Sequence, residues 1–79
     1  MQHDNSKLIR MANQIATFFA SQPEAEQVKG VATHINKFWE PRMRRQLFEI
    51  MEREGNGLSP LVVQAAPLIK QPEPAASAN

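Results

Sequence analysis

The sequence predicts an all-α protein: a small bundle of three main helices, a short fourth helix and a disordered C-terminal tail. Three observations lead to this class. Apolar residues recur at three- and four-residue steps along most of the chain, which is the spacing of one helix face. Prolines and glycines interrupt this pattern at positions typical of helix boundaries. No segment shows the apolar–polar alternation of a half-buried strand.

The chain is large enough for one small domain, which we assign to residues 1–70 of the 79. At this size folding buries only about 60% of the unfolded chain's surface, so the core alone gives marginal stability. Small domains usually gain support from disulfides, a metal or a partner. The sequence has no cysteine and two distant histidines, so it predicts no disulfide and no metal site. We therefore expect partner binding or self-association.

The first helix is predicted over residues 6–20. Asp4, Asn5 and Ser6 are candidate N-caps, because each side-chain oxygen can accept a hydrogen bond from a first-turn amide. The apolar stripe covers roughly half of the circumference at about 100° per residue, so this helix should contact more than one neighbour. The stripe consists of Leu8, Ile9, Met11, Ala12, Ile15, Ala16, Phe18 and Phe19.

The second helix is predicted over residues 23–39. Ser21 and Glu24 have the spacing of a capping box, and Pro23 suits an opening turn. Gly30 falls opposite the apolar face, where it either permits a close helix approach or is a tolerated weakness; we favour the weakness. The apolar face consists of Val28, Val31, Ala32, Ile35, Phe38 and Trp39.

Pro41 separates the second helix from a third. A proline disfavours helical dihedrals at the residue before it, so the second helix should end near Trp39. Pro41 itself suits the first position of a helix, and the third helix is predicted over residues 41–54. It stops at the sequence Gly55-Asn56-Gly57, whose residues tolerate positive φ.

The fourth helix is predicted over residues 59–69, because Ser59-Pro60 combines a cap residue with a first-turn proline. Residues 71–79 are rich in proline and alanine, have no apolar period and are predicted to be disordered. No run of about 18 apolar residues is present, so we expect no membrane span. Without the layout of a signal peptide at the start, the sequence predicts a cytoplasmic protein.

No catalytic constellation is apparent. A nucleophilic or acid–base site needs a positioned pair of groups oriented by a third. The chain has no cysteine and no tyrosine, and His34 stands at the border of an apolar stripe, where a half-exposed packing role is expected. Glu49, Glu52 and Glu54 are expected to form a solvated face. We therefore predict that this chain is not an enzyme on its own.

The charge distribution is uneven. A formal net charge of +1 argues against a general polyanion binder. A stand-alone basic helical module that binds nucleic acid is nevertheless the alternative hypothesis, because residues 34–45 carry four cations against Glu40. Arg45 is followed four residues later by Glu49, which should neutralise part of the cluster. The four cations are Lys37, Arg42, Arg44 and Arg45.

The candidate partner-binding site lies where the second and third helices meet, since tryptophan and arginine are enriched where partners contribute binding energy. We expect Phe38 in the core, while Trp39 is either core or a partly exposed anchor. Arg44 either covers the core with its stem or forms a bidentate bond to a partner's carboxylate or phosphate. The candidate partner-binding residues are Phe38, Trp39, Pro41, Arg42, Arg44 and Arg45.

Three runs of residues carry a family resemblance. They are RMANQIA at 10–16 followed by two phenylalanines, HINKFWEPRMRR at 34–45, and GLSPLV at 57–62. Together they resemble the delta subunit of NAD-dependent, molybdenum-containing formate dehydrogenase. The resemblance covers roughly residues 8–70, and its middle run is the most specific part, because a Phe-Trp-x-Pro-Arg-Met-Arg string is rare in a chain this short.

The resemblance implies a non-catalytic accessory subunit. In that family the large subunit carries bis-molybdopterin guanine dinucleotide and iron–sulfur clusters, and a partner subunit passes electrons through FMN to NAD. The delta subunit is expected to bind none of these groups, and to support assembly, molybdenum-cofactor loading or stability by docking on the large catalytic subunit. The candidate contacts to the cofactor's phosphates are Lys37, Arg42, Arg44 and Arg45.

Overall fold

A computed structural model describes residues 5–71, and these residues form an all-α bundle without a strand, so the predicted fold class is confirmed. Of the sequence predictions, the N-cap role of Asp4 and the disorder of residues 72–79 lie outside the described residues. The elements are helices α1 (Ser6–Ala20), α2 (Glu24–Phe38), α3 (Pro41–Met51) and α4 (Pro60–Ala65), and a single 3₁₀ turn (Ala66–Leu68) that continues α4.

Helix α2 is the centre of the bundle. It packs against α1 on one side and against α4 and the 3₁₀ turn on another. Its apolar stripe supplies the buried residues Val31, Ala32 and Ile35, in agreement with the helical spacing. The core around them is made of aliphatic side chains from every long helix. The largest fully buried side chains are Ile35, Leu47, Ile50, Val31 and Val62.

Helices α1 and α2 approach each other closely because small residues occupy their contact. Helix α1 buries Ala12 and Ala16. On α2, Gly30 lies against the ring of Phe19, and a Cβ added there would come within 2.9 Å of Phe19 Cγ. The interpretation of Gly30 as a tolerated weakness is therefore wrong. Gly30 does fall outside the apolar stripe of α2, but Phe19 of α1 covers that side of the helix.

The junction between α2 and α3 follows the prediction from Pro41. Pro41 is the first residue of α3, and Glu40 before it is extended, with φ −68° and ψ 156°. Helix α2 ends at Phe38, although the N–H of Trp39 still donates to the Ile35 carbonyl at 2.9 Å. The two helices therefore meet through a short extended link and not through a loop.

The capping box predicted at the start of α2 does not form. Pro23 is the N-cap residue, and no side chain caps the first turn. The Ser21 hydroxyl instead donates to the Phe18 carbonyl at 2.8 Å, and Gln27 Nε2 donates to the Gln22 carbonyl at 2.9 Å. These polar side chains therefore stabilise the end of α1 and the turn after it.

The connection between α3 and α4 uses the predicted glycines. Gly55 and Gly57 have φ values of 62° and 80°, in the left-handed region that glycine adopts without a Cβ penalty. Helix α3 ends at Met51, before the predicted residue 54, because its last turn tightens into bonds between residues three apart. At the start of α4, the Ser59 hydroxyl accepts the predicted capping bond from the Leu61 N–H at 3.3 Å.

An asparagine inside α1 holds this connection in place. Asn13 Nδ2 donates to the Gly57 carbonyl at 2.9 Å, and Asn13 Oδ1 accepts from the Ser59 N–H at 2.7 Å. The side-chain amide thus pairs with a backbone acceptor and a backbone donor two residues apart, as a neighbouring strand would. The α3–α4 connection is therefore fastened to α1 directly.

A second asparagine repeats this arrangement on α2. Asn36 Nδ2 donates to the Leu68 carbonyl at 3.0 Å, and Asn36 Oδ1 accepts from the Lys70 N–H at 2.7 Å. Ile69 lies between the two bonded residues and is buried in the core. The bonds of Asn36 therefore position the segment after α4 so that Ile69 covers α2.

We predict that Gly30→Ala destabilises the fold although alanine is the better helix former. Overpacking against Phe19 should cost about 1–3 kcal/mol, which exceeds the gain of up to about 1 kcal/mol in helix propensity. In a Phe19→Ala background the same substitution should stabilise the chain, because the ring is gone. Urea unfolding of the four chains in this double-mutant cycle measures the coupling. A Gly30→Ala variant more stable than wild type would contradict the close packing.

Candidate docking surface

The six candidate partner-binding residues fall into two groups at the α2–α3 junction. Trp39 is 5% exposed, and Arg44 is half-buried. The other four are exposed and lie on the surface of the same junction. Their role in partner binding stays a prediction, but the structure separates the residues that build the junction from those that a partner can reach. The exposed four are Phe38, Pro41, Arg42 and Arg45.

Phe38 and Trp39 have opposite environments. Trp39 belongs to the core, whereas Phe38 is 64% exposed. The prediction that Phe38 is a core residue is therefore wrong, and of the two interpretations of Trp39 the core one is right. Phe38 lies at the edge of the apolar stripe in the last turn of α2. Trp39 has left the helix, with φ −93° and ψ 133°, so a helical wheel does not apply to its side chain.

Arg44 is held by the fold. Its Nη1 donates to the Trp39 carbonyl at 2.8 Å, and its Nε donates to the Lys70 carbonyl at 3.0 Å. The guanidinium therefore joins the α2–α3 junction to the segment after α4. A planar group with several donors suits this double contact better than a lysine ammonium would. Between the two interpretations offered for Arg44, the structure favours a half-buried residue engaged within the chain.

Phe38 is one end of an aromatic strip on the surface of α1 and α2. The centroids of the Phe38 and His34 rings are 4.7 Å apart, those of His34 and Phe19 are 6.5 Å apart, and those of Phe19 and Phe18 are 4.9 Å apart. Phe18, at the other end, is 61% exposed. Contiguous exposed apolar groups of this kind mark interaction sites, whereas single ones do not.

The sequence analysis missed Phe18 as a surface residue. Its place in a stripe that covers half of α1 made it a core candidate. The width of the stripe was the available signal, since one helix in a small bundle is rarely covered over half of its circumference. Residues at the edge of such a stripe are therefore candidates for exposure. His34 is half-exposed at its stripe border, as predicted, and is the only polar member of the strip.

A groove of about 560 Å³ lies beside the aromatic strip, between α1 and the C-terminal end of α2. We call it the α1–α2 groove. Its lining is mostly apolar, and its size lies within the range of about 300–1,000 Å³ that is usual for binding pockets. Gln14 and His34 supply its polar groups. The groove is lined by Met11, Gln14, Ile15, Phe18, Phe19, His34 and Trp39.

Exposed cations lie at the same α2–α3 junction as Phe38. The Lys37 ammonium lies 5.7 Å from the centroid of the Phe38 ring. Within residues 5–71, the guanidinium groups of Arg42 and Arg45 have no hydrogen-bond or ion-pair partner, so the predicted pairing of Arg45 with Glu49 is not formed. We call the surface made by Lys37, Phe38, Arg42 and Arg45 the basic corner. It combines one large apolar side chain with three positive charges.

Between residues 5 and 71 the structure shows neither a cluster of potential metal ligands nor a helix suited to cross a membrane. No three His, Cys, Asp or Glu side chains between residues 5 and 71 come close enough together to hold a metal ion. The rings of Phe19 and Phe38 are the neighbours of His34, and neither can act as a proton-transfer partner. Over the same residues, no helix combines the length and apolar character that crossing a bilayer requires.

A comparison of the chain with protein families gives one match. The family model described as the NADH-dependent formate dehydrogenase delta subunit FdsD matches residues 7–66. The match runs from the first turn of α1 to the first residue of the 3₁₀ turn, and it includes the aromatic strip, the α1–α2 groove and the basic corner. No curated protein and no solved structure matches the chain.

We predict that substitutions of two adjacent aromatic residues change the free energy of unfolding by very different amounts. Trp39→Ala should cost about 3–5 kcal/mol, because it leaves a large cavity in a small core. Phe38→Ala should change the free energy of unfolding by no more than about 0.5 kcal/mol, because most of that side chain is in solvent. Chemical unfolding of the isolated variants measures both. Similar losses for the two variants would contradict the environments described here.

Proposed function

The chain belongs to the family of NADH-dependent formate dehydrogenase delta subunits, and on this basis we propose that it is a non-catalytic accessory subunit of a soluble, cytoplasmic formate dehydrogenase. We propose further that it docks on the large catalytic subunit. The observation that carries the docking proposal is Phe38, which is 64% exposed beside Lys37 at the α2–α3 junction. A domain of this size has a small apolar core, and a phenylalanine that remains exposed does not contribute to it. The exposed Phe38 therefore indicates a surface that a partner covers.

The fold holds the basic corner in a defined shape. Trp39 anchors the end of α2 in the core, and Arg44 donates to the Trp39 carbonyl and to the Lys70 carbonyl of the segment after α4. Residues on such a scaffold lose little further freedom on binding, which favours affinity. Lys37, Arg42 and Arg45 then suit carboxylates on the large subunit, with Phe38 as the apolar contact. The proposed contact residues are therefore four, with Trp39 and Arg44 in supporting positions.

A second candidate role is contact with the phosphates of the guanine dinucleotide cofactor while it is loaded into the large subunit. The guanidinium groups of Arg42 and Arg45, which have no partner within residues 5–71, favour this role, because arginine binds phosphate through two parallel hydrogen bonds. Arg44 is less suited to it than the sequence suggested, since two backbone carbonyls already engage two of its five N–H donors. In this role the arginines contact the phosphate oxygens transiently during loading, and the cofactor then resides on the large subunit.

Arg42→Glu and Arg53→Glu are matched charge reversals, one in the basic corner and one beyond the end of α3. Arg42→Glu should weaken binding to the large subunit at least about tenfold, because like charges brought together at an interface cost several kcal/mol. Arg53→Glu should bind as wild type. Titration of the purified large subunit measures both. If Arg42→Glu and Phe38→Ala retain wild-type affinity, the basic corner is not the docking site.

Deletion of this chain from the producing cells tests the accessory role itself. We expect the remaining complex to lose most of its formate oxidation activity. Molybdenum analysis of the purified complex separates the two roles: loss of metal indicates cofactor loading, and retained metal with low activity indicates structural support. Full activity with full molybdenum content would contradict both. Salt-sensitive retention of the chain on DNA, without binding to the large subunit, would support the nucleic-acid alternative instead.

A further inference from the structure

We propose that the α1–α2 groove receives an amphipathic helix with acidic residues, contributed by the large subunit. This inference rests on the docking proposal and deepens it. The docking proposal places the basic corner at the contact with the partner. The groove adds the kind of partner segment that binds beside it. The two surfaces are continuous, because the rings of His34 and Phe38, in contact at a tilt of 43°, connect the groove to the corner.

The shape of the groove suits about two turns of a helix. On its α1 side, Met11, Ile15 and Phe18 follow one another at steps of four and three residues, which places them along one ridge of α1. At a rise of about 1.5 Å per residue, this ridge is roughly 10 Å long. An entering helix would fill the groove with apolar side chains spaced in the same way, as in other helix-in-groove complexes.

The walls of the groove exclude an extended strand as the occupant. Both walls are α-helices, Ser6–Ala20 and Glu24–Phe38, whose interior backbone groups bond within their own helix. A strand needs a partner's free N–H and C=O groups, and these walls offer none. A helical segment satisfies its own backbone hydrogen bonds and so needs none from these walls.

The charges around the groove favour an acidic occupant. Helix α1 carries Lys7 and Arg10 and no acidic residue, and Lys7 extends the groove-lining ridge by one turn. The neighbouring depression is lined by Lys29 and Lys37, with Glu26 as its single carboxylate. The groove therefore borders a depression with two lysines against one carboxylate among its lining residues, and this local excess of positive charge favours an acidic segment.

A second copy of this chain fits the groove less well. Its other exposed apolar surface in the described residues includes Val63 of α4 and Leu68 of the 3₁₀ turn, which are 46% and 51% exposed. Helix α4 carries no acidic residue to meet the cations around the groove. Self-association through this face would therefore bury apolar area without any charge complementarity, so we place the acidic helix on the partner.

Site-specific photo-crosslinking in the assembled complex identifies the occupant. A p-benzoylphenylalanine replaces Gln14, which lines the groove, or Gln64, which is exposed on α4 and serves as the control. We expect position 14 to crosslink to a helical, acid-rich peptide of the large subunit, and position 64 to give no such product. A crosslink from position 14 to a second copy of this chain, to a basic or extended peptide, or to nothing in an assembled complex would overturn the inference.

Affinity measurements separate this inference from the docking proposal. Phe18→Ala should weaken binding to the large subunit at least about tenfold, whereas Val63→Ala, another exposed apolar residue, should leave it unchanged. Lys7→Glu should weaken binding more at low salt than at high salt. If the wild-type chain does not bind the large subunit at all, both proposals fail. If it binds and Phe18→Ala and Lys7→Glu bind equally well, the groove proposal alone is overturned.

Discussion

Hydrogen bonds from Asn36 and Arg44 to the segment after α4 close the bundle around α2, and the rest of the structure depends on this closure. Helix α4 has six residues, too few to be stable by itself. Because these bonds fix the segment after α4, helix α4 can bury Val62 and Ala65 against α2, and the segment can bury Ile69 there. The chain has no cysteine for a disulfide, so these hydrogen bonds hold the end of the bundle in place without a covalent cross-link.

The same closure shapes the surface that we assign to partner binding. Arg44 bonds to the Trp39 carbonyl while the indole lies in the core, so the end of α2 has a single arrangement. That arrangement leaves Phe38 exposed, with its ring against that of His34 at the border of the α1–α2 groove. Trp39 and Arg44 therefore stabilise the domain, whereas Phe38, next to Trp39 in the sequence, is exposed to a partner. A marginal core next to an uncovered aromatic strip is consistent with a subunit that gains stability in a complex.

Local rules succeeded where the chemistry is local. Pro41 begins α3, Ser59 caps α4, and the two glycines of the α3–α4 connection have positive φ, because each effect involves residues within one turn. The capping box at Ser21 failed because Pro23 took the N-cap position. Gly30 was misjudged because its purpose lies across a helix contact, in the ring of Phe19. A helix-interior asparagine, such as Asn13, was the one unused local signal, since asparagine is a poor helix former without a bonding role.

The sequence by itself determined the helical class, the position of the α2–α3 junction and the family resemblance, because periodicity, proline geometry and motif content are all properties of neighbouring residues. Only the tertiary structure decided that Trp39 is buried and Phe38 exposed. It also decided that the Arg44 guanidinium bonds to the backbone of this chain. Both outcomes depend on what lies across from a side chain. Periodicity gives the direction of a side chain within a helix, but it ends with the helix and says nothing about whether another element covers that direction.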